Sequence, residues 1–151
     1  AYEMRMAQLG NLLEDGEINF FEILRENFRD KVKFDLNHPL ESIFLYNAML
    51  ESHEEETGAV VKEIIRNVLK FVTLLVHEYQ SKGELNNNIS PELAAHFIFQ
   101  SQLGLYDFLA LNKGINFKES IKKGHLFSIS EEEIMKTVDG LLTIIKSGLK
   151  S

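Results

Sequence analysis

The chain has 151 residues, of which 44% are hydrophobic, 16 are basic and 23 acidic, for a formal net charge of −7; it has two prolines and no cysteine. One domain of this size buries roughly 70% of the surface its unfolded chain would expose, so it needs no staple. Lack of cysteine excludes disulfides, thiolate catalysis and cysteine-ligated zinc and suits a reducing, cytoplasmic setting. With no basic block longer than Lys122-Lys123, these residues lack the clustered Lys and Arg that neutralise nucleic-acid phosphates.

Sparse β-type alternation makes helix the expected element throughout, an all-α fold. Residues 2–14 place Tyr2, Met6, Leu9 and Leu13 at helical spacing and stop at Asp15-Gly16. Asn19-x-x-Glu22 reads as a capping box for a second helix, striped by Phe21, Leu24, Phe28 and Val32 and ending before Asn37-His38-Pro39. Pro39 opens a third, where Leu40, Ile43, Phe44, Tyr46, Asn47, Met49 and Leu50 make a broad apolar surface with two polar members. The acidic run Glu54-Glu55-Glu56 precedes the longest helix, Thr57 to Lys82, and stabilises its start by roughly 0.3–1 kcal/mol per charge. Val61, Ile65, Val68, Val72, Val76 and Tyr79 centre an apolar arc on that helix, with Val60, Ile64, Phe71 and Leu75 to one side. An arc covering half the circumference marks the central helix of a bundle. Gly83 suits the position that ends it.

The next helix has its start written into it. Ser90 can accept a bond from a free first-turn amide, Pro91 sits where a missing N–H costs nothing, and Glu92 complements the dipole. Wound at about 100° per residue, residues 91–111 are apolar on two sides. One face gathers Leu93, Phe97, Ser101, Gly104 and Phe108; the opposite one gathers Ala95, Ile98, Phe99, Gln102, Tyr106 and Leu109, and His96 and Asp107 mark a wet edge. One face serves the subunit's own core, so the other needs a partner, and Gly104 points to close approach of a second backbone. Residues 112–127, with Gly114 and Gly124, read as a long loop. Ser130-x-x-Glu133 then caps the last helix, where Ile134, Val138, Leu141, Ile145 and Gly148 line one face and supply the second half of the expected dimer surface.

The string Gly83-x-Leu85, Pro91-x-x-Ala94-Ala95 and Gly104-Leu105 resembles the penultimate helix of the regulatory domain in Tet repressor (TetR) family transcription factors. Helix order and length resemble that domain along the whole chain. The resemblance implies a single ligand-binding and dimerisation domain over residues 1–151, whose last two helices form a four-helix bundle with those of a second subunit. It also implies a small-molecule effector held among the helices, and DNA contacted through an N-terminal helix-turn-helix domain that nothing in this chain matches. In such a regulator the effector shifts the first helix and so changes the spacing of the two DNA-binding domains.

The residues offer no support for catalysis. None of His38, His53, His77, His96 and His125 has Glu three residues before it, as a di-iron bundle requires; Asp35 before His38 and Glu92 before His96 are isolated pairs, and a metal site needs three or four ligands. There is no nucleophile elbow and no phosphate loop, and no cofactor or metal is expected. Polar groups inside apolar faces are more informative, because each costs about 1–3 kcal/mol if buried without a partner. Gln102, Tyr106, Tyr79 and Tyr46 are such groups. They are met by bonds within the protein and buried water, or they orient a small apolar or amphipathic molecule in a cavity walled by Phe28, Met49, Phe71 and Leu75. A stand-alone helical ligand-binding or dimerisation protein is the alternative to a regulator's domain.

Overall fold

The computed structural model describes residues 18–50, 55–116, 119 and 129–151. Five helices fill them: α1 (Phe20–Asn37), α2 (Pro39–Leu50), α3 (Glu55–Ser81), α4 (Pro91–Lys113) and α5 (Glu131–Leu149). No strand occurs among the described residues, only an isolated antiparallel bridge between Leu85 and Lys150. The helix expected over residues 2–14 and most of the loop expected over 112–127 lie outside the described residues.

Local chemistry sets the helix ends. Asn19 Oδ1 accepts the Glu22 N–H at 2.9 Å, Ser90 Oγ that of Leu93 at 3.1 Å, and Ser130 Oγ that of Glu133 at 3.2 Å, each side chain satisfying an amide left over at a helix start. The central helix begins at Glu55 rather than Thr57. At the far end of α4, Gly114 adopts the left-handed conformation at φ 64° and its N–H returns to the Ala110 carbonyl. This glycine is a helix stop, so α4 runs two residues beyond Leu111.

Helix α3 is central, packing against α1, α2 and α4, while α5 covers α1 and α4. The core joins Phe20, Leu24, Phe28 and Val32 of α1 to Val72, Leu75, Val76 and Tyr79 of α3. It continues through Ala95, Ile98, Leu105 and Leu109 of α4 to Ile134, Val138, Leu142 and Ile145 of α5. Each fully buried Val, Leu, Ile or Phe contributes roughly 1.5–3 kcal/mol, so burial rather than helix propensity holds the β-branched stretch of α3 together. The turn between α3 and α4 is closed from inside by the buried Gln80, whose amide donates to the carbonyls of Asn86 at 2.9 Å and Ile89 at 2.7 Å. The end of α5 is tied to the same turn, with the Asn86 N–H donating to the Leu149 carbonyl at 2.8 Å.

Candidate functional site

The polar groups inside the bundle converge on one carboxylate. Asp35 lies in the last turns of α1 with 1% of its surface exposed. It accepts from Ser42 Oγ of α2 at 2.6 Å, from the Tyr106 hydroxyl of α4, and from Lys31 Nζ one turn back on its own helix. One buried acid thus gathers donors from three helices. A buried carboxylate without donors would be prohibitive, and here both oxygens are bonded. Immediately beside this hub the sense is reversed: Tyr46 of α2 donates to Asp107 of α4 at 2.9 Å. Consecutive residues of α4 therefore act as donor and acceptor. Burial first, then Asp35, pushes the Tyr106 phenol far above its ordinary range; burial first, then the bond to Asp107, pushes Tyr46 up to about 12. Both hydroxyls are held as donors.

Sequence reasoning left Asp35 out of this cluster. The signal was present, because Asp35 follows Phe28 by seven residues and Val32 by three, which continues the apolar stripe of α1. Ser42 was equally legible, one turn before Tyr46 on the face that Tyr46 shares.

The eight residues expected to line a ligand site divide into two groups. Phe28, Leu75 and Tyr79 are fully buried parts of the core, and the Tyr79 hydroxyl donates to the Ile18 carbonyl at 2.6 Å, just ahead of α1. Burial, then the neighbouring carboxylates of Glu84, Glu78 and Glu22, raise the Tyr79 phenol. Tyr46, Met49, Phe71, Gln102 and Tyr106 are half-buried, and Tyr46 and Tyr106 join the carboxylate pair. A groove of about 550 Å³ runs between α1 and α5 past Arg25, Arg29, Lys33 and Glu131, and another of about 530 Å³ lies at the end of α5 by Lys146 and Lys150. None of the eight lines either groove. No group of three or more His, Asp or Glu among the described residues is placed to hold a metal ion.

The residues expected at a dimer surface also divide. On α4, Leu93, Phe97 and Phe108 are more than half exposed, Gly104 is exposed and Ser101 half-buried. On α5 the placement differs: Ile134 and Val138 are 0% exposed and Ile145 1%, filling the subunit's own core and leaving no surface for a partner. Leu141 is half-buried against that core. The apolar stripe of α5 is the side that packs inward. The side left to solvent carries Gly140, Ile144 and Gly148, with Ile144 more than half exposed. A single helix pattern marks an apolar face without saying which neighbour it meets.

No helix among the described residues is long and apolar enough to cross a membrane. The chain matches no protein-family model and no curated protein. Among solved structures it is similar to the crystal structure of a TetR family transcriptional regulator from Chloroflexus aurantiacus J-10-FL, with a TM-score of 0.71 at 16% sequence identity, over 99% of this chain and 70% of that one. At that identity the likeness is one of fold: this all-helical bundle is TetR-like in architecture.

Proposed function

We propose that this chain is the effector-binding and dimerisation domain of a TetR-like transcriptional regulator. The observation that carries the reading is the outward side of α4 and α5. Leu93, Phe97 and Phe108 on α4 and Ile144 on α5 each leave more than half of their surface exposed. Among them Gly104 and Gly140 interrupt helix interiors, and a Cβ added at either would meet nothing among the described residues within 4 Å. A glycine at such a place costs about 1 kcal/mol against Ala, and packing inside the subunit gives no reason for it. Close approach of a second copy's backbone does. Burial of even about 1,000 Å² of apolar surface would offer roughly 25 kcal/mol gross, against association costs of roughly 4–15 kcal/mol.

In this reading the interface runs along Leu93, Phe97, Ser101, Gly104 and Phe108 of α4, with the Gly140, Leu141 and Ile144 side of α5 in place of its inward stripe. The effector is a small apolar or amphipathic molecule that meets Tyr46, Met49, Phe71, Gln102 and Tyr106. DNA is contacted through a helix-turn-helix domain other than these 151 residues, and the effector alters that contact only by its differential affinity for two states of the domain. The fold shared with a transcriptional regulator favours this over a stand-alone binding protein.

Native mass spectrometry of the purified chain tests both parts together: a dimer carrying a displaceable small molecule is expected, and a clean monomer would overturn the dimer. Gly104→Leu sharpens the test, since a Cβ at that position meets nothing among the described residues of the subunit and circular dichroism of the variant checks its fold. Overpacking at the seam should weaken association by about 1–3 kcal/mol per copy, twice per dimer. An unchanged dimer dissociation constant would place the interface elsewhere.

A further inference from the structure

Helix α2 is built inside out. Among residues 39–49 Ala48 alone is buried, while Leu40 and Phe44, one turn apart, are 68% and 67% exposed. The side turned toward the bundle carries Ser42 and Tyr46, each bonded to a carboxylate on another helix, Asp35 of α1 and Asp107 of α4. A surface helix ordinarily docks by its apolar stripe and turns polar residues to water. This one packs on α1 and α3 with Ala48 buried and Ile43, Leu45 and Met49 only half-buried, and it reaches α4 through a hydrogen bond.

The two modes of attachment behave differently when strained. Apolar burial is non-directional and is lost gradually with area, whereas a hydrogen bond to a charged acceptor is strong at its proper geometry and weakens steeply away from it. Breaking the Tyr46 bond leaves Asp107, which is exposed, free to take water instead, so the bond can open without stranding a buried charge. The Ser42 bond differs only in degree, because Asp35 keeps Lys31 and Tyr106 when Ser42 leaves.

We propose that α2 is a flap latched by Tyr46 on Asp107 and Ser42 on Asp35, which swings off the bundle as a unit while α1, α3, α4 and α5 stay folded. Its release uncovers the Asp35 hub between α1 and α4. The flap stands on these contacts alone; that it admits the effector rests on the regulator reading, which the mass of the native assembly tests separately.

The absence of native cysteine makes thiol labelling a clean readout. Ala48→Cys places a thiol under the flap, and Val138→Cys places one in the core of α5 as a reporter of global unfolding. Labelling with a disulfide reagent is followed from zero to moderate urea. Local opening exposes little surface, so its rate changes little with urea, whereas global unfolding depends on it steeply. The expected result is a urea-insensitive rate at position 48, faster than at position 138, that rises about tenfold or more when Tyr46→Phe is added, the scale of one bond to a charged acceptor. Equal, steep urea dependence at both positions would overturn the flap, since α2 would then open only with the whole fold. A urea-insensitive rate untouched by Tyr46→Phe would overturn the latch.

Discussion

The two ends of α1 are held by different forces. At its start Phe20 sits edge-on to Phe21 at 5.2 Å and to Tyr79 at 5.7 Å, and Leu24 and Phe28 complete an apolar cluster against α3 and α5. At its end the buried group is Asp35, surrounded by donors from α1, α2 and α4. The apolar end gains a little from each of many neighbours, with no demand on the direction of any contact. The polar end rests on a few directional bonds, which makes it specific and breakable. Helix α2, attached at the polar end, inherits that character.

Truncation at the apolar end should have the largest effect. Phe28→Ala removes a fully buried ring and leaves a cavity in close-packed surroundings, for an expected loss of about 4 kcal/mol in urea denaturation. Asp35→Ala should cost less, about 2–3 kcal/mol, from the lost bonds of Ser42 and Tyr106 to a charged acceptor. Lys31 adds little to that sum, since its side chain is 40% exposed and turns to water. If Asp35→Ala matched Phe28→Ala, the hub would be as much a structural core as the aromatic cluster, and the contrast between the ends of α1 would fail.

The same contrast explains what could be read from sequence. Asn19, Ser90 and Ser130 are legible as caps because a helix start has a local, single-residue chemistry. The two apolar sides of α4 are legible from spacing, as is the long arc of α3. The inward side of α5 was not, since Ile134, Val138 and Ile145 have the same periodicity whether they meet their own subunit or another. Asp35 was hidden for the opposite reason. A charged residue on an apolar stripe counts as an exception until its donors are known, and only Lys31 is local: the other two, Ser42 and Tyr106, lie 7 and 71 positions further along the chain. Spacing places Asp35 on the inward stripe of α1, but the bond to Tyr106, 71 positions away, has no local pattern.

The smallest expected effect concerns the latch itself. Burial, then the bond to Asp107, raises the Tyr46 phenol from the ordinary tyrosine value of 10.0 to about 12. Below pH 10 the phenol is protonated in both folded and unfolded chains, so the bond contributes in full. Between pH 10 and about 12 the unfolded chain loses its proton first, and the contribution falls away as pH rises through that window. Tyr79 and Tyr106 are also raised and act in the same direction, so the wild-type decline is a composite. Tyr46→Phe removes one share of it. Urea midpoints measured across the window should fall less steeply for the variant than for the wild type. Parallel declines would mean that the hydroxyl is as free to ionise in the folded protein as in the unfolded chain, and that α2 is not held through it.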